Sequence, residues 1–335
     1  MKVFMIGGTG LLGSVAAKEI IANGHFVTSL ALPPMPKSTF IPQDMKLYLK
    51  DFMKMSDEDL LILFKDCEGF VFAAGIDERI EGKPPIYEVY KKYNIEPIKR
   101  LLSLAKKAGV KHSVILGSYF VHFNRKWSDL NLYENHPYIR SRVDQEEIAL
   151  SYSDTNMSVS VLELPYIFGV QPGRKPVWVF LVEQIQKMKL RTFYPSGGTT
   201  MITVNQVGKL IANVLEKPDG AKYIPVGYYN LTWNEMLDVF HKTMNIKRKV
   251  FSIPKWIYKL VLSKYKRQYK KRGIESGLDL VGLAEIMTKN AFIDKSYIDE
   301  FDVPEDDIYL AIDQSVKLSM DVIDGKEEMI EMKAE

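Results

Sequence analysis

Lys2-Val3-Phe4-Met5-Ile6-Gly7-Gly8-Thr9-Gly10-Leu11-Leu12-Gly13 is the stretch on which the reading of this chain turns. Residues 3–6 form a short apolar run, of the kind buried on both faces of a parallel sheet. From Leu11 to Ala22 apolar residues recur at helical spacing, and Gly24 supplies a C-terminal stop. The intervening glycines thus join a strand to a helix. Gly7 lets the chain turn, Gly10 lets backbone approach a phosphate-bearing ligand, and Gly13 lets helix and strand pack closely. The helix start adds free N–H groups and the positive end of its dipole, and Thr9, Leu11 and Leu12 complete the cradle.

The same alternation repeats downstream. Apolar runs at 26–32, 46–49, 69–73, 113–116 and 159–164 alternate with helical patterns at 11–22, 56–64, 87–108 and 137–151. Ser56 followed by Asp59 is capping-box-like, and Pro137 suits a first helical turn. This repetition predicts an α/β fold with a Rossmann-type, doubly wound parallel sheet. After Pro165 the pattern is broken by Gly169, Pro172, Gly173, Pro176, Pro195, Gly197 and Gly198. A helix over 205–216, a strand over 223–226 and a helix opening at Thr232, with Glu235 as its reciprocal cap, are expected next. The expected division gives 1–164 plus about 200–222 to the Rossmann domain, and about 165–199 plus 223–335 to a smaller, mostly helical substrate lobe.

Composition narrows the function classes. The chain has 335 residues, 46% of them hydrophobic, with 45 basic against 42 acidic side chains. That balance argues against a nucleic-acid binder, which concentrates basic charge. Cys67 is the sole cysteine, so no intramolecular disulfide is possible, and it reads as a small core hydrophobe in a reducing compartment. No leader pattern opens the sequence, and no apolar run approaches the roughly 20 residues that span a bilayer. A cytoplasmic location is expected. The five histidines lack metal-ligand spacing, so no metal is expected. The basic, aromatic stretch 255–272 is read as an amphipathic helix with aromatics in the core and lysines in water, in preference to a membrane surface.

The glycine loop resembles that of the extended short-chain dehydrogenase/reductases, in their NAD-dependent epimerase/dehydratase-like branch, and further matches follow in family order. Asp51, with Phe52, stands after the third strand, where the family places an aspartate that contacts the adenine. Phe72-Ala73-Ala74-Gly75 resembles the Ala/Gly turn beside the cofactor. Tyr93-Asn94-Ile95 and Ala108-Gly109-Val110-Lys111 resemble the helix asparagine motif and its helix end. Leu164-Pro165-Tyr166-Ile167-Phe168-Gly169 resembles the segment on the nicotinamide side, with Glu163 where the family usually has arginine.

The resemblance also implies a chemical site. Gly117-Ser118-Tyr119-Phe120-Val121-His122 resembles the strand-end serine signature, and Tyr138-Ile139-Arg140-Ser141-Arg142 keeps the Tyr-x-x-x-Lys spacing with arginine in the lysine position. It implies catalysis by Ser118, Tyr138 and Arg142, with Asn94 organising water, and a cofactor held by Gly7, Thr9, Gly10, Leu11, Leu12, Gly13, Asp51, Phe52, Ala73, Ala74, Gly75, Tyr138, Arg142, Pro165 and Tyr166. A free tyrosine titrates near pH 10, so base chemistry at neutrality needs a neighbouring positive charge. Arg142 supplies one but cannot lose a proton.

The function expected is an NAD(P)-dependent oxidoreductase or epimerase acting on a carbonyl or alcohol of a small molecule, nucleotide-sugars included. The alternative is a non-catalytic NAD(P)-binding sensor or interaction module. Residues 30–37 hold no acid for a ribose 2′-OH, and Lys37 could meet a 2′-phosphate, so the cofactor reading leans to NADP. Arg174 is expected in a loop over the substrate, either on an anionic group such as a sugar-nucleotide phosphate or as an exposed charge at the rim, and His122 is read as bland. The assembly considered is a homodimer.

Overall fold

The computed structural model describes residues 1–35 and 41–327, so Lys37 lies outside the described residues. Seven strands build the main sheet: β1 (Lys2–Ile6), β2 (Phe26–Ala31), β3 (Lys46–Leu49), β4 (Gly69–Phe72), β5 (His112–Leu116), β6 (Ser158–Glu163) and β7 (Ala221–Pro225). Their order is β7-β6-β5-β4-β1-β2-β3, and every pairing is parallel. Strand order reverses at β1, which lies between β2 and β4. The crevice beyond the carboxyl ends of β1 and β4 is therefore the switch point where ligands of such sheets bind.

Alternation along β1 shows why the sheet is covered twice. Val3 and Met5 pack with α1 (Leu11–Ala22) and α5 (Val204–Leu215), whereas Phe4 and Ile6 pack with α2 (Asp57–Phe64) and α3 (Glu96–Ala108). Phe4, Phe64 and Phe70 form a ring cluster with centroids 4.6 to 6.1 Å apart. Truncating any of the three to alanine would cost about 3–5 kcal/mol. Strand and helix ends fall within two residues of expectation over this half. The Ser56 hydroxyl caps α2 by accepting from the Asp59 N–H at 3.1 Å.

One helix departs from regularity. The expected 87–108 segment runs as Tyr87–Tyr90, a π-helical turn at Lys91–Ile95, and then α3. A widened turn of this kind re-aims the side chains it carries, and Asn94 is one of them. The helix α4 (Pro137–Leu150) then follows with the predicted proline start.

The second lobe has its own sheet. Its central strand, Gly198–Thr203, pairs with Tyr166–Phe168, Tyr229–Thr232 and Asn290–Ala291. The anticipated switch near residue 222 falls inside β7, which stays in the large sheet to Pro225. Helix α6 (Lys255–Lys271) corrects the reading of the basic stretch. Tyr258 and Leu262 turn inward, but Trp256 is 65% exposed and Tyr265 50%. The helix packs chiefly on Leu280–Met287, a single neighbour that covers only a narrow stripe.

Candidate active site

The glycine loop is shaped by contacts that exclude side chains. Gly7 has φ +92°, and a Cβ there would stand 2.4 Å from the Ala73 carbonyl oxygen at the end of β4. A Cβ on Gly13 would meet the Gly7 carbonyl oxygen at 2.2 Å. The loop is thus pressed between the sheet and the start of α1. Gly10 occupies the N-cap position, without a side-chain cap, and the first turn of α1 carries no acidic residue. Its free N–H groups and dipole face the switch-point crevice, which suits an anion. Gly10 and Leu11 line a cavity of about 550 Å³ together with Asp77, Arg79, Ile167, Gln171 and Trp178. These features fit the diphosphate of a dinucleotide.

At the ends of β4 and β5 the expected catalytic side chains converge. Tyr138 and Ser118 are buried, with Ser118 near enough to the phenol to lower its pKa. Arg142, one turn along α4, donates from Nε to Tyr138 Oη at 3.2 Å. Its Nη1 donates to Gln145 Oε1 at 2.8 Å and to the Leu116 carbonyl at 3.5 Å, and Nη2 donates to the Ile76 carbonyl at 3.1 Å. Gln145 continues the network by donating to the Asn94 carbonyl at 2.8 Å. Of the five N–H donors of a guanidinium, only one hydrogen on Nη2 lacks an assigned protein acceptor.

Asn94, expected to organise water, grips a peptide instead. Its Oδ1 accepts from the Ile76 N–H at 2.8 Å, and its Nδ2 donates to the Ile76 carbonyl at 3.1 Å. Gly75 makes this approach possible. At φ +125°, a Cβ would lie 2.8 Å from Asn94 Oδ1 and 3.7 Å from the Arg142 guanidinium. The loop after β4, the π-turn and α4 are therefore one hydrogen-bonded unit under Tyr138.

Burial pushes the Tyr138 phenol above its ordinary value, and the nearby Glu78 carboxyl adds to that. Arg142 and Ser118 pull it back, without cancelling the burial. The resting phenol is thus a neutral proton donor. Glu78, which the sequence reading passed over, is itself raised by burial and by Asp77. It acts electrostatically on Tyr119, Tyr138 and Tyr166 at once, and so belongs to this site. Gln145 was also missed, although its place three residues after Arg142 puts the two on one helix face.

Other singled-out residues surround these groups or lie farther off. Asp51 caps a short turn by accepting from the Met53 N–H at 2.9 Å, and Phe52 stacks edge-on against Phe72. Tyr166 joins an aromatic cluster with Tyr119, Trp178 and Trp233. His122 packs against Phe123 and Tyr297, and burial with Lys126 and Arg125 nearby holds it down at about 4. Arg174 is 8% exposed and reaches the glycine loop: its Nη2 donates to the Thr9 carbonyl and hydroxyl, both at 3.2 Å. Gln171 donates to the same carbonyl at 3.0 Å. The buried Arg174 Nε has no protein acceptor.

The Glu163 departure also finds its partner. Arg125 bridges two buried carboxylates, Glu146 at 2.6 Å and Glu163 at 2.5 Å. Burial and the neighbouring Glu146 push Glu163 up to about 8, so it is protonated near neutrality.

Comparison with known proteins defines the class. The sequence model of the NAD dependent epimerase/dehydratase family matches residues 3–222. The chain belongs to that family, the NAD-dependent oxidoreductases and epimerases of the extended short-chain dehydrogenase/reductase fold. Among particular relatives, the decarboxylating sterol-4-alpha-carboxylate 3-dehydrogenase of Candida albicans is 29% identical over 188 residues, 51% of each chain. The chain therefore spans about half the length of that curated relative. The solved structure of gox2253 superposes with a TM-score of 0.73 at 17% identity, covering 98% of this chain and 99% of the other. UDP-N-acetylglucosamine 4-epimerase from Methanobrevibacter ruminantium M1 gives 0.66 at 16% identity, with 96% and 98% covered. DesIV, a dTDP-glucose 4,6-dehydratase from Streptomyces venezuelae solved with NAD, gives 0.66 at 14% identity, with 96% and 97% covered.

Proposed function

We propose that the chain interconverts a carbonyl and an alcohol on a small molecule, with Tyr138 as the acid/base and Arg142 as its fixed cationic partner. The observation that carries this reading is the 3.2 Å contact from Arg142 Nε to Tyr138 Oη, with the buried Ser118 near the same phenol. NAD, when bound, supplies the hydride donor or acceptor. In the reducing direction Tyr138 Oη gives its proton to the substrate oxygen, and Ser118 orients that oxygen. The raised pKa of the phenol supports this direction. Arg142 keeps its proton throughout and stabilises the phenolate left behind. Gly7, Thr9, Gly10, Leu11, Leu12 and Gly13 would hold the diphosphate. Asp51, Phe52, Ala73, Ala74, Gly75, Pro165 and Tyr166 would line the remainder of the dinucleotide.

A division of labour completes the proposal: the part around the large sheet, expected at 1–164 with about 200–222 and continued by β7 to Pro225, binds the dinucleotide, and the remainder, built around the Gly198–Thr203 sheet, binds the substrate. The cofactor choice leans to NADP, because β2 closes on Ala31-Leu32-Pro33-Pro34 with no carboxylate for a 2′-OH. A cytoplasmic location is part of the reading. The test is cofactor consumption at 340 nm against a panel of 3-oxo and hydroxy sterols and nucleotide-sugars. Tyr138→Phe should lower the rate by about 100-fold or more. Turnover unchanged in Tyr138→Phe refutes the assignment, and NADH bound more tightly than NADPH refutes the lean. Dinucleotide binding without turnover on any member of the panel would favour the sensor reading.

A further inference from the structure

Residues 242–274 contain twelve Lys or Arg and no Asp or Glu, and residues 184–199 add Lys187, Lys189 and Arg191, again without an acid. The fold brings these two segments together. Thr192–Pro195 pairs in parallel with Val250–Ile253, setting Phe193 opposite Phe251, and the second strand leads through Pro254 directly into α6. These two segments hold a third of the chain's 45 basic residues.

Large apolar groups are exposed among these charges. Leu190 is 88% exposed, Trp256 65% and Leu260 64%, and Phe193, Phe251, Val261 and Tyr265 are exposed as well. Along the solvent side of α6, Trp256, Leu260, Lys264, Arg267 and Lys271 succeed one another at three- and four-residue spacing. The opposite side is accounted for: Lys255 and Lys259 pair with Glu285, and Lys266 pairs with Asp279. No partner of that kind is recorded among the described residues for Lys264, Arg267, Lys270 or Lys271.

We propose that this face docks on an anionic lipid surface. Helix α6 would lie in the interface with Trp256 and Leu260 sunk among the acyl chains and its lysines and arginines at the headgroups. Charge decides against a second copy of the chain, because an isologous contact would oppose two strongly basic faces. The aliphatic side chains decide against a nucleic acid: Leu190, Leu260 and Val261 gain from entering hydrocarbon, whereas a duplex surface offers them little. No helix among the described residues is long and apolar enough to cross a membrane, so the contact is peripheral. On its inner side the same helix packs Tyr258 into the cluster of Tyr166, Tyr194, Trp178 and Trp233. Membrane contact and the floor of the candidate site are thus two faces of one element.

Tryptophan fluorescence gives a direct test, because Trp127, Trp178 and Trp233 are buried and only Trp256 is exposed. The full chain is mixed with vesicles of phosphatidylcholine alone, or with about 30 mol% phosphatidylglycerol, at about 0.1 M salt. Sedimentation with the anionic vesicles, a blue shift in emission, and loss of that shift in Trp256→Phe are expected. Replacing Lys264, Arg267 and Lys271 together by glutamate should weaken partitioning about 100-fold or more, since each basic residue near such a surface contributes roughly fivefold. A thermal midpoint and dinucleotide affinity equal to the parent show that this variant is folded. Failure of the folded parent to bind anionic vesicles overturns the proposal. So does vesicle binding without a Trp256 shift, and so does equally tight binding to a DNA duplex when no shift is seen on lipid.

Discussion

Replacing Arg142 by lysine restores the residue common at this position in the fold family, and the structure predicts that the change is harmful. The guanidinium makes four hydrogen bonds at 2.8 to 3.5 Å, to Tyr138 Oη, Gln145 Oε1 and the carbonyls of Ile76 and Leu116. They spread in directions that a planar fork reaches and a single ammonium does not. Lysine would keep two of these acceptors; of the others, the Ile76 carbonyl retains Asn94 Nδ2 as a donor and the Leu116 carbonyl loses its side-chain donor. An unsatisfied buried acceptor costs about 1–3 kcal/mol, so a loss of about 1–3 kcal/mol in unfolding free energy is expected. Activity should fall with it. If the Tyr138 phenol loses its fixed partner, kcat/KM should drop about 10- to 100-fold, with KM for the dinucleotide changing less than kcat. Denaturant unfolding and initial rates of cofactor oxidation measure the two effects on one preparation. A lysine variant as stable as the parent, with equal or higher kcat/KM, would falsify the view that the site is built around arginine. It would mark a decayed lysine site instead.

Three further outcomes follow from the same geometry. Gly75→Ala places a Cβ at φ +125° and 2.8 Å from Asn94 Oδ1, so it should cost about 2–3 kcal/mol and most of the activity. Thermal unfolding with dinucleotide titration checks it, and a neutral result would detach Asn94 from the site. Arg174→Gln should weaken ADP and NADH binding about tenfold while leaving adenosine binding unchanged, because the guanidinium sits on Thr9 of the glycine loop. Equal losses for adenosine and ADP would show that Arg174 only braces the loop. Glu163→Gln concerns pH. The folded pKa of about 8 lies above the unfolded value, so the native state holds the extra proton and is stabilised by it below the unfolded pKa. That stability is lost as pH rises toward 8. The variant cannot ionise there, so its thermal midpoint relative to the parent should climb between pH 6 and 8.5, and a flat difference would count against a protonated Glu163.

Which parts of this were legible in the sequence depends on how local their causes are. The β1–loop–α1 unit was readable because each glycine answers a contact within the unit or with the next strand, as Gly7 does with Ala73. Strands were readable as continuous apolar runs, and the caps at Ser56 and Thr232 as residue pairs three apart, whereas the Thr203–Gln206 box was passed over. The Arg125 bridge between Glu146 and Glu163 was not readable. Its members come from three separate elements, and no spacing in the chain links them. Arg174 was placed over the substrate because its loop follows the nicotinamide-side segment, but the loop folds back far enough to touch Thr9, 165 residues away in sequence. For α6, amphipathic spacing showed two faces, yet which aromatics would be covered depended on how many elements pack beside it.

Two departures from the family pattern, arginine for lysine at 142 with the charge kept and glutamate for arginine at 163 with the charge reversed, sit on or beside α4 and admit a common physical reading. Both sites are buried, and a buried charge survives only where its acceptors or counter-charges are supplied. At 142 the supply is Gln145 with the Ile76 and Leu116 carbonyls; at 163 it is Arg125 with a proton held against Glu146. Neither change could stand alone, because each leaves an unpaired group in the other's absence of partners: Gln145 Oε1 without Arg142, and Arg125 between fewer carboxylates without Glu163. At 142 the guanidinium is held by Gln145 and two carbonyls while its Nε meets the Tyr138 phenol, so the cation beside that phenol is fixed by the fold and not by solvent.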